Sequence, residues 1–291
     1  MKSRITIALA GWLGLGAAML AAQTARLAVP GSVIAGSAFS VPTSGSGKGT
    51  FYMVGPGQAL RREVQLGDAI SITAGEVPNA GHYTALLVGP SATQEAEFDV
   101  TPAPEPATLS FLAKPSRLPV NLPDGISGVV YVFDAFGNLV LEPKQVTFEL
   151  SVAGGATQTQ SVSTHSGVAW LKLHSAPKAG AAQFQARIDN LTAKRVVQQV
   201  SGDPCNLRMS ARKSGGRIEL ETQPLLDCSG NAVPDGTIVT FKESHNGTET
   251  TVDVPIKRGV ARTTVPDYEN GVISVATGVV MGNEIRLGGG L

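Results

Sequence analysis

A seven-residue pattern occurs twice in this chain of 291 residues, and its spacing constrains the fold more than any other feature. Asp-x-x-Gly-Asn-x-Val occupies residues 134–140 and, about 93 residues later, residues 227–233. A Val-Thr-Phe segment follows each copy, so that Phe148 and Phe241 each come 14 residues after the Asp. A repeat of this length is the size of one β-sandwich domain. We therefore predict at least two such domains in tandem.

Two further landmarks follow each copy in the same order. A Gly-Val-Ala strand begins at Gly167 and at Gly259, and Gly180 or Gly271 opens what we expect to be the last strand. Gly allows a positive φ that a residue with a Cβ adopts only at a cost, and Asp and Asn side chains bind the backbone of turns. We therefore assign six structural turn residues, which are Asp134, Gly137 and Asn138 in one copy and Asp227, Gly230 and Asn231 in the other.

Short runs of β-branched and aromatic residues, bounded by Gly, Pro, Asn or Asp, dominate the chain beyond residue 26. Residues 129–133, 145–150 and 168–173 are examples, and residues 217–221 alternate strictly between polar and apolar. Such runs are typical of strands joined by tight turns. No window of helical length keeps an apolar stripe at i, i+3 and i+4 spacing. The sequence therefore predicts an all-β fold of tandem immunoglobulin-like β-sandwich domains.

The order of these landmarks resembles the bacterial immunoglobulin-like repeats of the invasin and intimin (Big-1-like) type. In that family an Asp-x-x-Gly-Asn-x-Val turn is followed by a Val-Thr-Phe strand, a Gly-Val-Ala strand and a strand opened by Gly. The resemblance covers about residues 105–200 and 203–287. It implies the sandwich fold and, by analogy of fold, adhesion or another interaction at the cell envelope. Because the family's motifs are turn and core residues, the resemblance implies no catalytic residue.

Residues 26–101 lack these landmarks but contain Tyr83 two residues before Ala85 in an apolar run. Sandwich domains often place a Tyr two residues before the inward position that antibodies give to Cys, and its hydroxyl bonds back to the corner backbone. We therefore predict a sandwich here too, with an ordinary exposed aromatic as the alternative for Tyr83. The predicted organisation is a signal peptide at 1–25, sandwiches at 26–101, 107–201 and 203–291, and a stiff Pro-rich linker at 102–106.

The first 25 residues have the parts of a secretory signal peptide. Lys2 and Arg4 precede an uncharged run rich in Ala, Leu and Gly, and cleavage after Ala22 fits its small-residue exit. An uncleaved anchor is the alternative, because about 20 apolar residues can span a bilayer. We expect an exported protein, in the periplasm, at the cell surface or outside the cell, with no membrane span after cleavage.

The two cysteines, Cys205 and Cys228, lie symmetrically about a predicted turn. If the strands on either side of Gly215-Gly216 form a hairpin, its centre coincides with the midpoint between the two cysteines. The cysteines then lie opposite each other at the open end, and an even pair in an exported protein is expected to form a disulfide. A redox pair would need Cys-x-x-Cys spacing, and a metal site would need nearby His ligands.

Several function classes are disfavoured by charge and motifs. Lys+Arg and Asp+Glu number 23 each, whereas a nucleic-acid binder usually carries a basic excess. No nucleophile elbow, zinc-protease, Walker or dinucleotide motif occurs, and we predict no cofactor, no metal and no enzyme activity. Calcium binding between sandwiches would depend on a sparse set of carboxylates near the domain boundaries, which are Asp99, Glu105, Asp203 and Asp235. His165 stands beside Ser166, but neighbours in sequence point different ways and we expect it to be a turn residue. We expect His82, His174 and His245 to be solvent-exposed at strand or loop edges.

Three functional hypotheses follow. The first is an exported, non-enzymatic binding or spacer protein, with a protein or cell-envelope component as its partner. The second is an accessory subunit of a surface or secretion assembly that pairs through edge strands. The third is an enzyme with a site between domains, which convergent groups of perturbed pKa would indicate.

Overall fold

The computed structural model describes residues 26–90 and 92–288, so the predicted signal peptide lies outside the described residues. The chain divides into two compact units, residues 1–101 and 102–291. The first unit has one cluster of buried apolar residues, and the second unit has two, at residues 111–197 and 207–287. We call the regions around these clusters the first, second and third sandwich. Every regular element described is a strand, which confirms the predicted all-β fold.

Two sheets form the first sandwich. One has the order β1-β3-β6 and the other β2-β8-β7-β4-β5, with β2 parallel to β8. Along β7 every second side chain points inward, including Tyr83 and Ala85, because the apolar residues follow the strand period of two. The strands are β1 (Arg26–Leu27), β2 (Ser32–Ile34), β3 (Phe39–Ser44), β4 (Lys48–Gly55), β5 (Gln58–Gln65), β6 (Ala69–Ile72), β7 (Gly81–Val88) and β8 (Thr93–Thr101).

The second sandwich has a three-stranded sheet, β14-β11-β9, and a five-stranded sheet, β10-β16-β15-β12-β13. Its core contains three phenylalanines in mutual contact, Phe111, Phe148 and Phe184, with ring centroids 5.0–6.1 Å apart. The strands are β9 (Thr108–Lys114), β10 (Arg117–Pro119), β11 (Ile126–Phe133), β12 (Gln145–Val152), β13 (Gln158–Ser163), β14 (Val168–Leu173), β15 (Gly180–Ile188) and β16 (Leu191–Val200).

The third sandwich has sheets β17-β18-β21 and β20-β19-β22-β23. The predicted hairpin is present, since β17 and β18 pair antiparallel about Gly215-Gly216. The strands are β17 (Met209–Ser214), β18 (Arg217–Thr222), β19 (Ile238–His245), β20 (Thr248–Pro255), β21 (Arg262–Pro266), β22 (Val272–Thr277) and β23 (Val280–Arg286).

The second and third sandwiches correspond strand for strand in their central sheets. Phe148 on β12 pairs with Ala186 on β15, and Phe241 on β19 pairs with Val275 on β22. Both phenylalanines are buried, as their common spacing from the turn predicts. The sequence repeat is therefore also a repeat of core positions.

One expectation about strand order is wrong. Gly180 opens β15 and Gly271 directly precedes β22, but a further strand follows in each sandwich, β16 or β23. Each added strand follows a tight turn that contains a residue of positive φ, Asp189 in one case and Gly278 in the other. Neither strand begins with a shared sequence landmark, so the repeat did not identify it.

Candidate functional site

The Asp-x-x-Gly-Asn turn follows β11 in the second sandwich, and one carboxylate organises it. Asp134 Oδ1 accepts hydrogen bonds from the backbone N–H groups of Phe136 and Asn138, both at 2.9 Å. Asp134 Oδ2 accepts from the side-chain amide of Asn138 at 2.9 Å and from the Ala103 N–H at 3.0 Å. The same side chain therefore holds the turn and the segment that leads into β9.

The turn in the third sandwich repeats this arrangement. Asp227 Oδ1 accepts from the N–H groups of Ser229 and Asn231 at 2.8 and 2.9 Å. Asp227 Oδ2 accepts from the Asn231 amide at 2.9 Å and from the Gly202 N–H at 3.0 Å. Because Gly202 lies between β16 and β17, this bond attaches the segment between the two sandwiches to the turn.

Both aspartates are buried, yet their hydrogen bonds favour the charged form. Burial alone would raise the pKa of Asp134, but the bonds from Asn138, Ala103 and Phe136 outweigh it and hold the pKa below its ordinary value. The pKa of Asp227 is lowered by the same balance, with Asn231 and Gly202 among the donors. Each carboxylate therefore remains ionised at neutral pH as part of the turn.

The glycines of the two turns have the backbone conformation that explains their residue type. Gly137 has φ 85° and Gly230 has φ 79°. A Cβ at either position would meet nothing within 4 Å. The requirement for Gly is therefore one of backbone conformation and not of space.

In the third sandwich the turn also binds the preceding sandwich directly. The Asn231 Nδ2 donates to the Pro177 carbonyl at 2.8 Å, and the Asn231 Oδ1 accepts from the Ala179 N–H at 2.9 Å. Beside it, the Asn121 amide donates to the Ser229 hydroxyl. The amide of Asn231 thus pairs with both a carbonyl and an N–H of the β14–β15 loop, which fixes its position in two directions. We call these contacts the junction.

A cavity of about 650 Å³ lies along residues 200–204, the segment between the second and third sandwiches. Its charged lining residues are Arg117 from β10 and Asp203 from the segment between β16 and β17, and the rest are mainly apolar residues, prolines and hydroxyl side chains. Ser201 lines it, but no imidazole or thiol does so among the described residues. The cavity has the composition of strand ends and linker and does not assemble a nucleophile with a base.

The predicted disulfide is present between Cys205 and Cys228, with their Cα atoms 5.1 Å apart. Cys228 directly follows Asp227 of the turn. The Cys205 N–H also donates to the Leu226 carbonyl at 2.9 Å. The disulfide and the Asp227 carboxylate therefore attach the start of the third sandwich to the same turn.

An apolar row crosses the outer face of the three-stranded sheet of the second sandwich. Val129 on β11 pairs with both Trp170 on β14 and Leu112 on β9, so the three side chains stand side by side. Trp170 is 65% exposed and Leu112 is 49% exposed. A large aromatic residue left in solvent beside other apolar side chains is typical of an interaction surface.

The remaining sequence candidates have local structural roles. The Tyr83 hydroxyl donates to the Asn79 carbonyl at 2.9 Å, which confirms the predicted corner interaction. Asp235 accepts from two backbone N–H groups of the β20–β21 turn. Within residues 26–90 and 92–288, no group of three or more metal-ligating side chains occurs, and no helix has the length and apolarity to cross a membrane.

One histidine departs from expectation. His82, His165 and His174 are exposed, but His245 is half-buried and its ring stacks on Tyr268, with centroids 4.8 Å apart. The prediction of solvent exposure is therefore wrong for His245. His245 is the last residue of β19 and lies on the same face as the buried Phe241 and Glu243, which explains the difference.

Sequence reasoning found the turn residues but missed what some of them bind. The contacts of Asn231 and Ser229 with the second sandwich depend on how two domains meet, and no local pattern signals that. The apolar row around Trp170 depends on strand register. Among these features, Glu243 could have been noticed in the sequence. It lies two residues after Phe241, where the second sandwich has Leu150 after Phe148, so the repeat predicts a buried carboxyl at a core position.

This chain is similar to known proteins in structure but not in sequence. No family model matches the chain, and no curated protein matches it. The FdeC adhesin of Escherichia coli has a TM-score of 0.57 and 13% identity, over 91% of this chain and 97% of that chain. InvD of Yersinia pseudotuberculosis has a TM-score of 0.53 and 14% identity, over 92% and 99%.

Invasin, described as a bacterial integrin-binding protein, has a TM-score of 0.52 and 12% identity. The match covers 91% of this chain but 59% of the invasin chain, so this chain spans about three fifths of the length of that solved chain. With identities this low, the structural superpositions show a shared fold and nothing further. The fold of this chain is that of bacterial immunoglobulin-like repeat proteins of the invasin type.

Proposed function

We propose that this chain is an exported, non-enzymatic adhesin-type protein whose sandwiches hold a binding surface at a fixed position. The observation that carries the proposal is the junction, where Asn231 makes two hydrogen bonds to the second sandwich. Two domains joined by a flexible tether need no such bonds, whereas a spacer that fixes the orientation of one domain relative to the next does. Two structurally similar proteins, FdeC, described as an adhesin, and invasin, described as integrin-binding, support the adhesive part.

The binding surface in this proposal is the row of Leu112, Val129 and Trp170. Exposed Trp contributes strongly to protein interfaces because it buries a large area with few rotatable bonds. The partner in this proposal is a protein of the host or of the cell envelope. We further propose that each of the three sandwiches folds on its own, with boundaries at residues 102–106 and 201–204.

Residual dipolar couplings on the full chain test the spacer. We expect the second and third sandwiches to share one alignment tensor, and Asn231→Ala to give each its own tensor. Asn206→Ala is the matched control, because Asn206 makes two bonds at the same end of the third sandwich but none to the second among its described contacts. Separate tensors in the unmodified chain, or an equal effect of Asn206→Ala, would refute a fixed junction.

Capture of envelope or host-surface proteins by the full chain tests the binding surface. Trp170→Ala should abolish capture of any specific partner, because the exposed indole is the largest apolar group of the row. Val196→Ala removes another exposed apolar side chain, on β16 of the same sandwich, and serves as the control. Capture that Trp170→Ala leaves unchanged would place the binding surface elsewhere.

A second candidate function, an accessory subunit that pairs through edge strands, is favoured by β13. This edge strand carries no charge over Gln158–Ser163, whereas the edge strands β5 and β20 carry charged side chains that discourage pairing. Ser161 is exposed, and its N–H points away from β12, because the Thr164 N–H bonds the Lys144 carbonyl and inward bonds alternate along the strand. Ser161→Pro would remove this outward donor and should abolish assembly in this case, while leaving a surface centred on Trp170 intact. Co-purification with a defined complex would favour this function over adhesion.

A further inference from the structure

The inner face of β19 departs from the repeat at the end away from the junction. Counting from the shared phenylalanine, Glu243 and His245 occupy the positions of Leu150 and Val152 in the second sandwich. Glu243 pairs with Ile273 as Leu150 pairs with Phe184, so the correspondence is one of structure as well as sequence. The third sandwich thus has a carboxyl and an imidazole where its repeat has two buried aliphatic side chains.

Glu243 is buried without a full set of partners. The residue is 4% exposed, and among the described residues its Oε1 has no hydrogen-bond partner. Burial raises the pKa of Glu243, and the nearby His245 lowers it to a smaller extent. A buried carboxyl oxygen without a donor costs stability, so a replacement by Leu would be favoured unless the carboxyl binds something.

A cavity of about 210 Å³ lies over this carboxyl. Glu243, His245 and Asn246 form one part of its lining, and the Asn246 amide contacts His245 Nε2 at 2.8 Å. Thr248 and Thr250 from β20 form another part, and Tyr268 stacks on His245 at an interplanar angle of 14°. Its volume equals that of about seven water molecules in the liquid. The cavity therefore fits a group of a few heavy atoms and not a large ligand.

The chemistry of the lining selects a positively charged donor. Lys and Arg are absent from it among the described residues, and the nearby Lys242 is paired with Glu249 at 2.6 Å. The hydroxyls of Thr248 and Thr250 can accept hydrogen bonds beside the Glu243 carboxylate, and the aromatic ring of Tyr268 attracts cations through its face. His245 Nδ1 is a further buried polar atom without a described partner.

We propose that this cavity is a binding site for a primary ammonium group on a short aliphatic chain. It is formed by Glu243, His245, Asn246, Thr248, Thr250 and Tyr268. Glu243 pairs with the ammonium, the two Thr hydroxyls accept its other N–H bonds, and Tyr268 covers the chain. The site lies within the third sandwich and does not depend on the junction or on the row around Trp170.

Titration of the full chain with n-butylammonium, followed by backbone amide NMR shifts, tests the proposal. We expect saturable shifts confined to residues 243–250 and the loop around Tyr268. n-Butanol, which has the same chain without the charge, should bind at least about tenfold more weakly, because a charge-assisted hydrogen bond is the stronger kind. Equal binding of the two probes, or no saturable shift with butylammonium, would overturn the assignment.

Glu243→Leu separates binding from folding, because it installs the residue of the second sandwich. We expect it to abolish the butylammonium shifts while the third sandwich unfolds at an equal or higher denaturant concentration. Glu243→Gln keeps the shape and should weaken binding by at least about tenfold. A Glu243→Leu variant that is destabilised would show a structural role for the carboxyl, and unchanged binding by Glu243→Gln would contradict the ion pair.

Discussion

The second and third sandwiches share a turn and a strand order but stabilise their folds by different means. The second sandwich packs Phe111, Phe148 and Phe184 together and has an additional parallel strand, β10. In the third, Phe241 is the aromatic residue of the described buried core, and a disulfide is added beside the turn. The repeat therefore fixes the topology and the turn, while core composition and cross-links differ freely between copies.

The same comparison shows which residues of the third sandwich are candidates for a function beyond folding. Where the two sandwiches agree, as at Asp134 and Asp227, the residues have the same structural bonds. Where they differ, the third sandwich has features that folding alone does not require, such as Glu243 in place of an aliphatic residue. Differences between repeats are therefore more informative about function here than the shared motif.

The largest expected effect is loss of the shared phenylalanine. Phe148→Ala and Phe241→Ala should each destabilise their own sandwich by about 3–5 kcal/mol through cavity formation. Phe148→Ala should be the costlier, because it also removes ring contacts with Phe111 and Phe184. Hydrogen exchange by mass spectrometry on the full chain, compared between residues 107–200 and 205–287, reports each sandwich separately. Equal loss of protection in both would mean that the two unfold as one unit.

Removal of the disulfide should come next. Cys205→Ser with Cys228→Ser should destabilise the third sandwich by roughly 3 kcal/mol, because the bond closes a short loop in the unfolded chain. The second sandwich should be unaffected. Denaturant unfolding with and without reductant measures the difference, and free-thiol labelling of both cysteines in the native protein would contradict the bond.

The second sandwich offers the reverse experiment. The Ala107 N–H donates to the Phe133 carbonyl, as the Cys205 N–H donates to the Leu226 carbonyl. Ala135 also directly follows Asp134, as Cys228 follows Asp227. Ala107→Cys with Ala135→Cys should therefore form a bond and stabilise the second sandwich. Failure to oxidise would show that the two turns differ in geometry near the linker.

The turn glycines should have smaller effects. Gly137→Val and Gly230→Val should each destabilise only their own sandwich, by about 1–3 kcal/mol, because a β-branched residue is strained at positive φ. Ala at the same positions should cost less than Val. Denaturant midpoints of the four variants give the comparison, and an unchanged midpoint for both Val variants would remove the structural explanation of the repeated Gly.

Much of this fold could be predicted from sequence because its signals are local. The repeated turn, the inward phenylalanines and the hairpin that brings Cys205 to Cys228 depend on residues close in sequence or on a period of two. The strands β16 and β23 were missed because each follows a turn without a shared motif. The contacts of Asn231 with Pro177 and Ala179 join residues of different domains, so their partners follow only from the tertiary structure.

The last and smallest expected effect is a difference in pH dependence. The pKa of Asp134 and of Asp227 lies below the ordinary value of 3.8, so each stabilises its sandwich above that value, and the stability is lost as pH falls through the lowered pKa. The pKa of Glu243 is raised above 4.5, so its effect on the pH dependence of stability has the opposite sign. Its charged form costs stability at neutral pH, and the cost disappears as pH falls through the raised pKa.

The third sandwich should therefore gain stability on mild acidification, as Glu243 is protonated. It should lose stability at lower pH, as the groups of lowered pKa are protonated, which are Asp227, Asp235, Glu219 and Glu221. The second sandwich should only lose stability. Glu243→Leu should remove the gain and leave the acid loss, since Asp227 is untouched. Denaturant unfolding from pH 7 to pH 3, followed by amide signals of each sandwich, measures both curves. A gain that persists in Glu243→Leu would assign it to another group, and no gain in the unmodified chain would mean that Glu243 is already partnered when ionised.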